Sequence, residues 1–526
     1  MTGAAAATRS EAWGAQDAVV RFGRRVALDG VSLTATPGRV VAVVGGDGAG
    51  KTTLLRLLAG RVRPESGTVR VPPRRELGYL PATAGVWGDL TVRQNIDFAA
   101  AAYRMPREEA APRGAELLAA AGLAEAVDRL ASRLSGGMRR KLGFVMAILP
   151  RPRLVVLDEP STGVDPVSRV ELWRLIARSA AEGAAVVFAT TYPDEAERAE
   201  QVLALDAGRP QPWDEVRALA RQAPPAPRSV RAAGGEPPAA PLVRGAGVVR
   251  AFGSHRAVDG VDIEVRAGEV VGLIGANGAG KTTLLRILLG LDRSDAGEIS
   301  VLGSSPARFD RAALGYVPQG LGLWSTLTPA ENAEFVGQAY GVPRERRALP
   351  AGFEAAARQQ VGELDLGRQR LLAFDLAVQH RPRLLVLDEP TSGVSVRARA
   401  GLWQRIHAEA ARGAGVIVTT HYLQEAAQCT RLVLLSRGRV AARGTVADVV
   451  AGLRAVRVSG ARWAEAFTAL DAAGIPVMLD GTAVRAAGAD ADAVSRILAA
   501  AGVAAEVAPV PATLEEALVL VERGGH

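Results

Sequence analysis

Two short segments carry residues in a pattern suited to binding phosphate. Residues 40–58, VVAVVGGDGAGKTTLLRLL, and residues 270–288, VVGLIGANGAGKTTLLRIL, each set GxxxxGK[ST] between an apolar run and a helix-forming run. The first loop is Gly45, Gly46, Asp47, Gly48, Ala49, Gly50, Lys51 and Thr52, followed by Thr53. The second is Gly275, Ala276, Asn277, Gly278, Ala279, Gly280, Lys281 and Thr282, followed by Thr283. Glycines let backbone N–H groups curl around phosphate oxygens, and the following helix adds the positive end of its dipole. Lys51 and Lys281 would reach the β- and γ-phosphates of a nucleotide, and Thr52 and Thr282 would hold Mg²⁺. The chain has only three lysines, Lys51, Lys141 and Lys281, beside a large excess of arginine. A lysine kept at the same point of both loops marks a place that a planar guanidinium cannot fill.

Acidic strand ends follow. LVVLDEPSTGV (154–164) and LLVLDEPTSGV (384–394) are continuous apolar runs, as buried parallel strands require, and each ends in two carboxylates. Asp158 and Asp388 would bind Mg²⁺, while Glu159 and Glu389 would orient and polarise the water that attacks the γ-phosphate.

These elements recur at one offset, 230 residues, which also maps Phe22 onto Phe252 and Trp173 onto Trp403. Lysine and aspartate are 107 residues apart in both copies. The chain is therefore read as a tandem duplication. A loose tail (1–16) precedes a first domain (17–220), a linker with six prolines (221–243) and a second domain (244–444). In the last segment (445–526) short β-rich runs (455–458, 475–479, 483–486, 504–507) alternate with helical ones (462–473, 490–501, 514–521). That order predicts a small α+β domain of split β-α-β type.

Composition agrees. The 526 residues are 48% hydrophobic and 22% charged, enough for several cores at about 100–200 residues per domain. No apolar run reaches the length of about 18 residues that a membrane span needs, and the first residues lack a secretory h-region. One cysteine, Cys429, excludes a disulfide framework and a multi-cysteine zinc site, which fits a reducing cytoplasm. The net charge of +8 comes almost wholly from arginine in an Ala- and Gly-rich chain, so it is read as compositional, and no nucleic-acid partner is expected.

With these motifs in place, nearly the whole chain resembles an ABC ATPase: two tandem P-loop NTPase domains, each with a helical signature subdomain, plus the small C-terminal α+β domain. Leu134-Ser135-Gly136-Gly137-Met138 is similar to the family's signature, Ser161–Asp165 to its D-loop, Gly315–Gln319 to its Q-loop and Thr419-Thr420-His421 to its switch histidine. The resemblance implies that Gln319 joins the metal shell and that Gln319, Glu389 and His421 serve hydrolysis. It implies that Phe22 and Phe252 stack on adenine, with ordinary core packing as the alternative. It also implies that the two domains pair head-to-tail, so that each ATP lies between one phosphate loop and the other domain's signature.

The departures fall on one side. In the first copy Ala82 stands where the Q-loop glutamine belongs, and matching the Thr-Thr pairs with a one-residue gap puts Tyr192 in place of the histidine. In the second copy Asp365-Leu366-Gly367 replaces Ser135-Gly136-Gly137, and Ser395 replaces Asp165. Paired crosswise, the second phosphate loop with Gln319, Glu389 and His421 meets an intact signature. The first phosphate loop with Ala82 and Glu159 meets a damaged one. Asp365 would set an anion beside the γ-phosphate, a repulsion of about 1 kcal/mol at about 4 Å in water and about 4 at an effective dielectric of about 20. One site is expected to hydrolyse ATP and the other mainly to bind it.

LSGGMRRKLGF, TTHYLQEA and PATLEEALVL resemble the ATP-binding subunits of bacterial drug-exporter systems. That implies separate membrane permease subunits, a location on the inner face of the cell membrane, and docking by residues 83–90 and 320–327, where simple packing of Trp87 and Trp324 is the alternative. Tandem ABC proteins acting on ribosomes and tandem sugar-import ATPases are the competing readings. The short proline-rich linker and the damaged second signature weigh against the first, and the LSGGMRRKL stretch against the second.

Overall fold

The computed structural model describes residues 12–221 and 240–524, apart from positions 348, 393, 395, 421 and 461. Most of the linker, with His421, Ser395 and Gly393, thus lies outside the described residues. The chain divides into two units, Met1–Ala218 with Leu453–Ala512, and Leu219–Gly452 with Thr513–His526.

In the first unit a six-stranded sheet runs in the order Leu77–Leu80, Leu154–Asp158, Ala185–Thr190, Val40–Gly45, Gln201–Asp206, Arg209–Gln211. All its pairs are parallel except the last. Both faces of the central strand are buried. Val41 and Val43 meet Leu54, Leu55 and Leu58 of the helix Lys51–Leu58, while Val40, Ala42 and Val44 face the cluster holding Leu142, Phe144 and Trp173. This two-sided burial is why the strand reads as an unbroken apolar run. A three-stranded antiparallel sheet (Arg25–Ala35, Trp13–Phe22, Ser66–Arg70) closes the other side of the Lys51–Leu58 helix. Its first strand begins at Trp13, inside the segment expected as a tail, because Trp13 and Ala15 are buried in that core.

The second unit repeats this plan. Val270–Gly275 is again central, between Gly415–Thr419 and Arg431–Ser436. One helix does not recur. Arg107–Ala120 of the first copy is reduced to a single short turn, Arg344–Arg346.

The C-terminal segment folds as β-α-β-β-α-β, with an antiparallel sheet in the order Val477–Asp480, Ala483–Ala487, Ala455–Ser459, Glu506–Val510. The helices Trp463–Ala472 and Ala491–Ala500 and the strands fall close to the expected runs, with the last strand shifted toward the C-terminus. This domain belongs to the first unit. Trp463, Phe467 and Leu470 share one apolar cluster with Leu172, Leu175 and Ile176 of the helix Pro166–Ala181. Arg174 Nε donates to Asp471 Oδ1 at 3.1 Å. Residues at either end of the segment pack elsewhere. Val446, Val449 and Val450, with Leu514 and Leu518 of the helix Leu514–Gly524, join the core of the second unit.

Because the core is shared, a cavity made in the C-terminal domain must weaken the helix it covers. Phe467→Ala should cost about 3–5 kcal/mol and raise hydrogen exchange in Pro166–Ala181. Unchanged exchange in that helix would contradict the shared core.

Candidate functional site

Each phosphate loop is shaped by glycines that have no substitute. Gly50 has φ 104°, and a Cβ there would lie 2.7 Å from the carbonyl oxygen of Ala27. Gly280 is its counterpart, with φ 101° and 2.2 Å to the Ala257 oxygen. Each glycine caps its helix without any side-chain hydrogen bond, so the first-turn N–H groups are left for an anion. The lysines are anchored by backbone. Lys51 Nζ donates to the carbonyls of Gly45 and Gly46, both at 3.0 Å, and Lys281 Nζ to those of Gly275 and Ala276 at 2.7 and 2.9 Å. Both ammonium groups are buried at the loop. The third lysine has a different job: Lys141 pairs with Glu171 at 2.6 Å on the helical side of the first domain.

The acidic strands sit alongside. Thr52 Oγ1 donates to Asp158 Oδ1 at 3.2 Å, which brings a hydroxyl and a carboxylate oxygen together as Mg²⁺ requires. In the second unit Asp388 Oδ1 accepts from Thr419 Oγ1 at 2.5 Å. Burial pushes both aspartates above the usual carboxylate range, and the neighbouring glutamate adds to the rise. The glutamates themselves take left-handed backbone, φ 51° at Glu159 and 50° at Glu389. That conformation is uncommon for a residue with a Cβ and costs of order 1–2 kcal/mol.

The two glutamates have different company. Glu389 Oε2 accepts from Gln319 Nε2 at 3.1 Å. Glu159 lies 3.4 Å from Lys51 Nζ and accepts from Thr162 Oγ1 at 2.5 Å. Where Gln319 would recur, the carbonyl of Ala82 accepts from Arg140 at 2.7 Å. The equivalent Arg370 donates instead to the carbonyls of Glu389 and Ser392, at 2.8 and 2.7 Å.

The signature positions begin helices. Ser135 caps Gly136–Ile148 by accepting from the Met138 N–H at 3.2 Å. Asp365 caps Leu366–Val378 in the same way, accepting from the Arg368 N–H at 2.9 Å. The substitution therefore keeps the helix start and changes only the group displayed there. Gly137 is close to the D-loop: a Cβ on it would lie 3.6 Å from Asp165 Oδ2.

The switch segment needs a correction. Sheet register pairs Asp158 with Ala189 and Asp388 with Thr419, so the copies align here without a gap. Thr190 accepts from the Tyr192 N–H and donates to Glu195, as Thr420 does with Tyr422 and Glu425. The position equivalent to His421 is therefore Thr191, and Tyr192 is a buried residue matching Tyr422. The Thr-Thr identity favours a gap that the strand register does not contain. The motif itself announces neither the hydroxyl of Thr419 on Asp388 nor the buried Glu195 and Glu425. A gap-free alignment would have exposed Thr419 opposite Ala189.

Phe22 and Phe252 are both about half exposed at the hairpin ends beside the phosphate loops, and the Arg250 guanidinium lies over Phe252 at 4.8 Å. Beyond the Q-loop segments, Trp87 packs edge-on to Phe98 at 5.6 Å and Trp324 on Phe335 at 5.0 Å, and all four rings are exposed.

A family model described as "ABC transporter" matches residues 28–162 and 258–392, each spanning a phosphate loop and its acidic strand. The chain belongs to the ABC transporter ATP-binding family. It is an ATPase, and as an ABC protein it carries that domain twice. It is 31% identical over 523 residues to a probable multidrug ABC transporter ATP-binding protein, YbhF, of Escherichia coli (strain K12), covering 80% of this chain and 90% of that one. Nod factor export ATP-binding protein I of Rhizobium sp. (strain N33) is 40% identical over 211 residues, covering 38% of this chain and 69% of that one. In fold it is similar to an archaeal ribosome recycling factor solved with a ribosomal stalk protein, at a TM-score of 0.66 and 20% identity over 92% of this chain and 98% of that one. At that identity the likeness is one of tandem ABC architecture.

The raised pKa of Asp388 has a consequence for stability. A carboxyl raised above its unfolded value favours folding below that value, and the benefit is lost as pH rises through the folded value. At neutral pH Asp388 is thus a net cost to the nucleotide-free protein. Asp388→Asn should raise the melting midpoint at pH 7, at about 2–4 °C per 1 kcal/mol relieved for units of this size. The gain should shrink as the pH is lowered toward 4. A midpoint that falls at pH 7 would contradict the burial cost.

Proposed function

We propose that this chain is the ATP-hydrolysing subunit of an exporter whose membrane permease resides on separate chains, and that it works with one competent and one degenerate ATP site. The observation that carries this reading is the contact of Gln319 with Glu389 in the half whose sequence also has His421, against Ala82 and Thr191 in the other. The losses in the signatures are complementary. The first copy retains Ser135, Gly136, Gly137 and Asp165, so crosswise pairing unites everything intact at the second phosphate loop.

At that site Lys281 and the helix N-terminus would bind the β- and γ-phosphates, and Phe252 would stack on the adenine. Thr282, Asp388 and Gln319 would hold Mg²⁺, which supplies charge neutralisation for the phosphates. Glu389 would accept a hydrogen bond from the attacking water and draw off its proton, and His421 would contact the γ-phosphate. At the first loop Lys51 and Thr52 would still bind nucleotide, while Ala82 and Thr191 supply neither the amide nor the imidazole.

Transport supports the same reading from two sides. Relatives are named as multidrug transporter and Nod factor export ATP-binding proteins, and no helix among the described residues is long and apolar enough to cross a membrane. The exposed Trp87–Phe98 and Trp324–Phe335 pairs would form the permease-facing patches, which would hold the chain peripherally on the inner face of the membrane. Asn95 and Asn332 brace them by accepting from the Trp87 and Trp324 N–H groups at 2.9 and 3.0 Å.

Single-turnover hydrolysis tests the asymmetry. Glu389→Gln should slow the chemical step by about 10²-fold or more, the scale of losing a general base, and Glu159→Gln by about threefold or less. Equal losses would reject two unlike sites.

A further inference from the structure

The hydroxyl of Thr419 stands between the two acidic residues of the second unit. It donates to Asp388 Oδ1 at 2.5 Å and accepts from the peptide N–H of Glu389 at 2.9 Å. The same N–H also reaches the Thr419 carbonyl at 3.2 Å. The group is fully buried, one residue before Thr420 and two before His421. Thr419 therefore joins the strand that leads to the switch segment to the strand that ends in the acidic pair.

The matching position in the first unit is Ala189, paired with Asp158 in the same sheet register. There the Glu159 N–H reaches the Ala189 carbonyl at 3.1 Å, and Ala189 has no hydroxyl to offer it. Asp158 takes its hydrogen bond from Thr52. A second side-chain link of the same region shows the contrast. The node joining the D-loop and switch segments through a buried glutamate is present in both halves. Glu195 bonds Ser161 and Thr190, and Glu425 bonds Thr391 and Thr420. What both halves keep is scaffolding for the fold. The Thr419 bridge occurs in only one half, the one that also holds Gln319 against Glu389.

We infer that Thr419 is a positioning residue for hydrolysis: its hydroxyl fixes the metal-side carboxylate of Asp388 relative to the left-handed backbone of Glu389, and Ala189 is a further loss at the first site. Glu389 sits at φ 50°, so its peptide is held against its own preference. A hydroxyl that accepts from that peptide while donating to the adjacent carboxylate sets both at once. Valine at this position preserves the volume and the branched Cβ and removes the hydroxyl to which the Glu389 N–H donates. Serine keeps the hydroxyl and drops only a methyl group.

The proposal rests on Glu389 being the working glutamate, so the two are tested side by side in the full-length chain. Steady-state ATPase rates are measured for Thr419→Val, Thr419→Ser and Glu389→Gln. Thr419→Val should lower kcat about tenfold, the scale of one lost charge-assisted hydrogen bond, with KM for ATP within about twofold. Thr419→Ser should restore most of the rate, which a packing role would not do, since serine leaves the larger void. Valine and serine variants of equal rate, with Glu389→Gln inactive, would overturn the role of Thr419 and leave the proposed function standing. An active Glu389→Gln would overturn both.

Discussion

Everything at these sites depends on a bare stretch of backbone that a lysine can straddle. The ammonium of Lys281 is held by two carbonyls of its own loop, and the loop can pass beneath it only because Gly278 and Gly280 take left-handed backbone. Those two carbonyls hold the ammonium at the loop, where a phosphate would approach it. An arginine has a planar fork and no such compact geometry, which accounts for the retention of lysine in a chain where nearly every other cation is arginine. The sheet and its flanking helices exist, in this sense, to deliver a strand end and a helix start to the two sides of one loop.

On the proposed reading, the two halves differ in chemistry while keeping the same structure. Asp365 replaces Ser135, yet both side chains accept a first-turn N–H and both start a helix of the same length. Aspartate and serine rank together as caps, so the helix registers no change, whereas a bound γ-phosphate would meet a negative charge in place of a donor. The arginine that both copies of that helix carry tells the same story. Arg140 is spent on the backbone beside Ala82, and Arg370 on the backbone of the acidic loop, so each domain keeps a buried cation with carbonyl partners. Caps and buried charges are kept in both halves, while the groups proposed to serve hydrolysis differ.

How much of this could be read from residues alone followed the strength of the local rule. The phosphate loops and acidic strands were legible because glycine spacing and two-sided burial leave few alternatives, and the β-α-β-β-α-β order was legible from alternating runs of short length. Position 191 was not. A Thr-Thr dipeptide offered a tempting identity, while the register that decides the alignment is set by Ala189 lying opposite Asp158, a pairing no local pattern announces. The placement of the C-terminal domain was also hidden, although one signal was present. Leu175 is buried on the helix where the other copy has Arg405, which is partly exposed and bound to Asp375. An apolar residue at a position that its duplicate keeps charged marks a face with something to cover it.

That covering changes what the C-terminal segment can be. A regulatory appendage would bury its own core and touch its host through a polar surface, as separable domains do. Here Trp463, Phe467 and Leu470 complete a cluster begun by Leu172 and Trp173, and the ion pair of Arg174 with Asp471 borders it. The helix they cover starts one residue after Asp165, the end of the first D-loop, and Asp165 accepts from the N–H of Ser168 in its first turn. Ordering the helix therefore orders the D-loop aspartate. Removal of residues 453–512 would expose an apolar face on the half whose signature and D-loop are intact, and so would damage the very groups that the second phosphate loop is proposed to borrow.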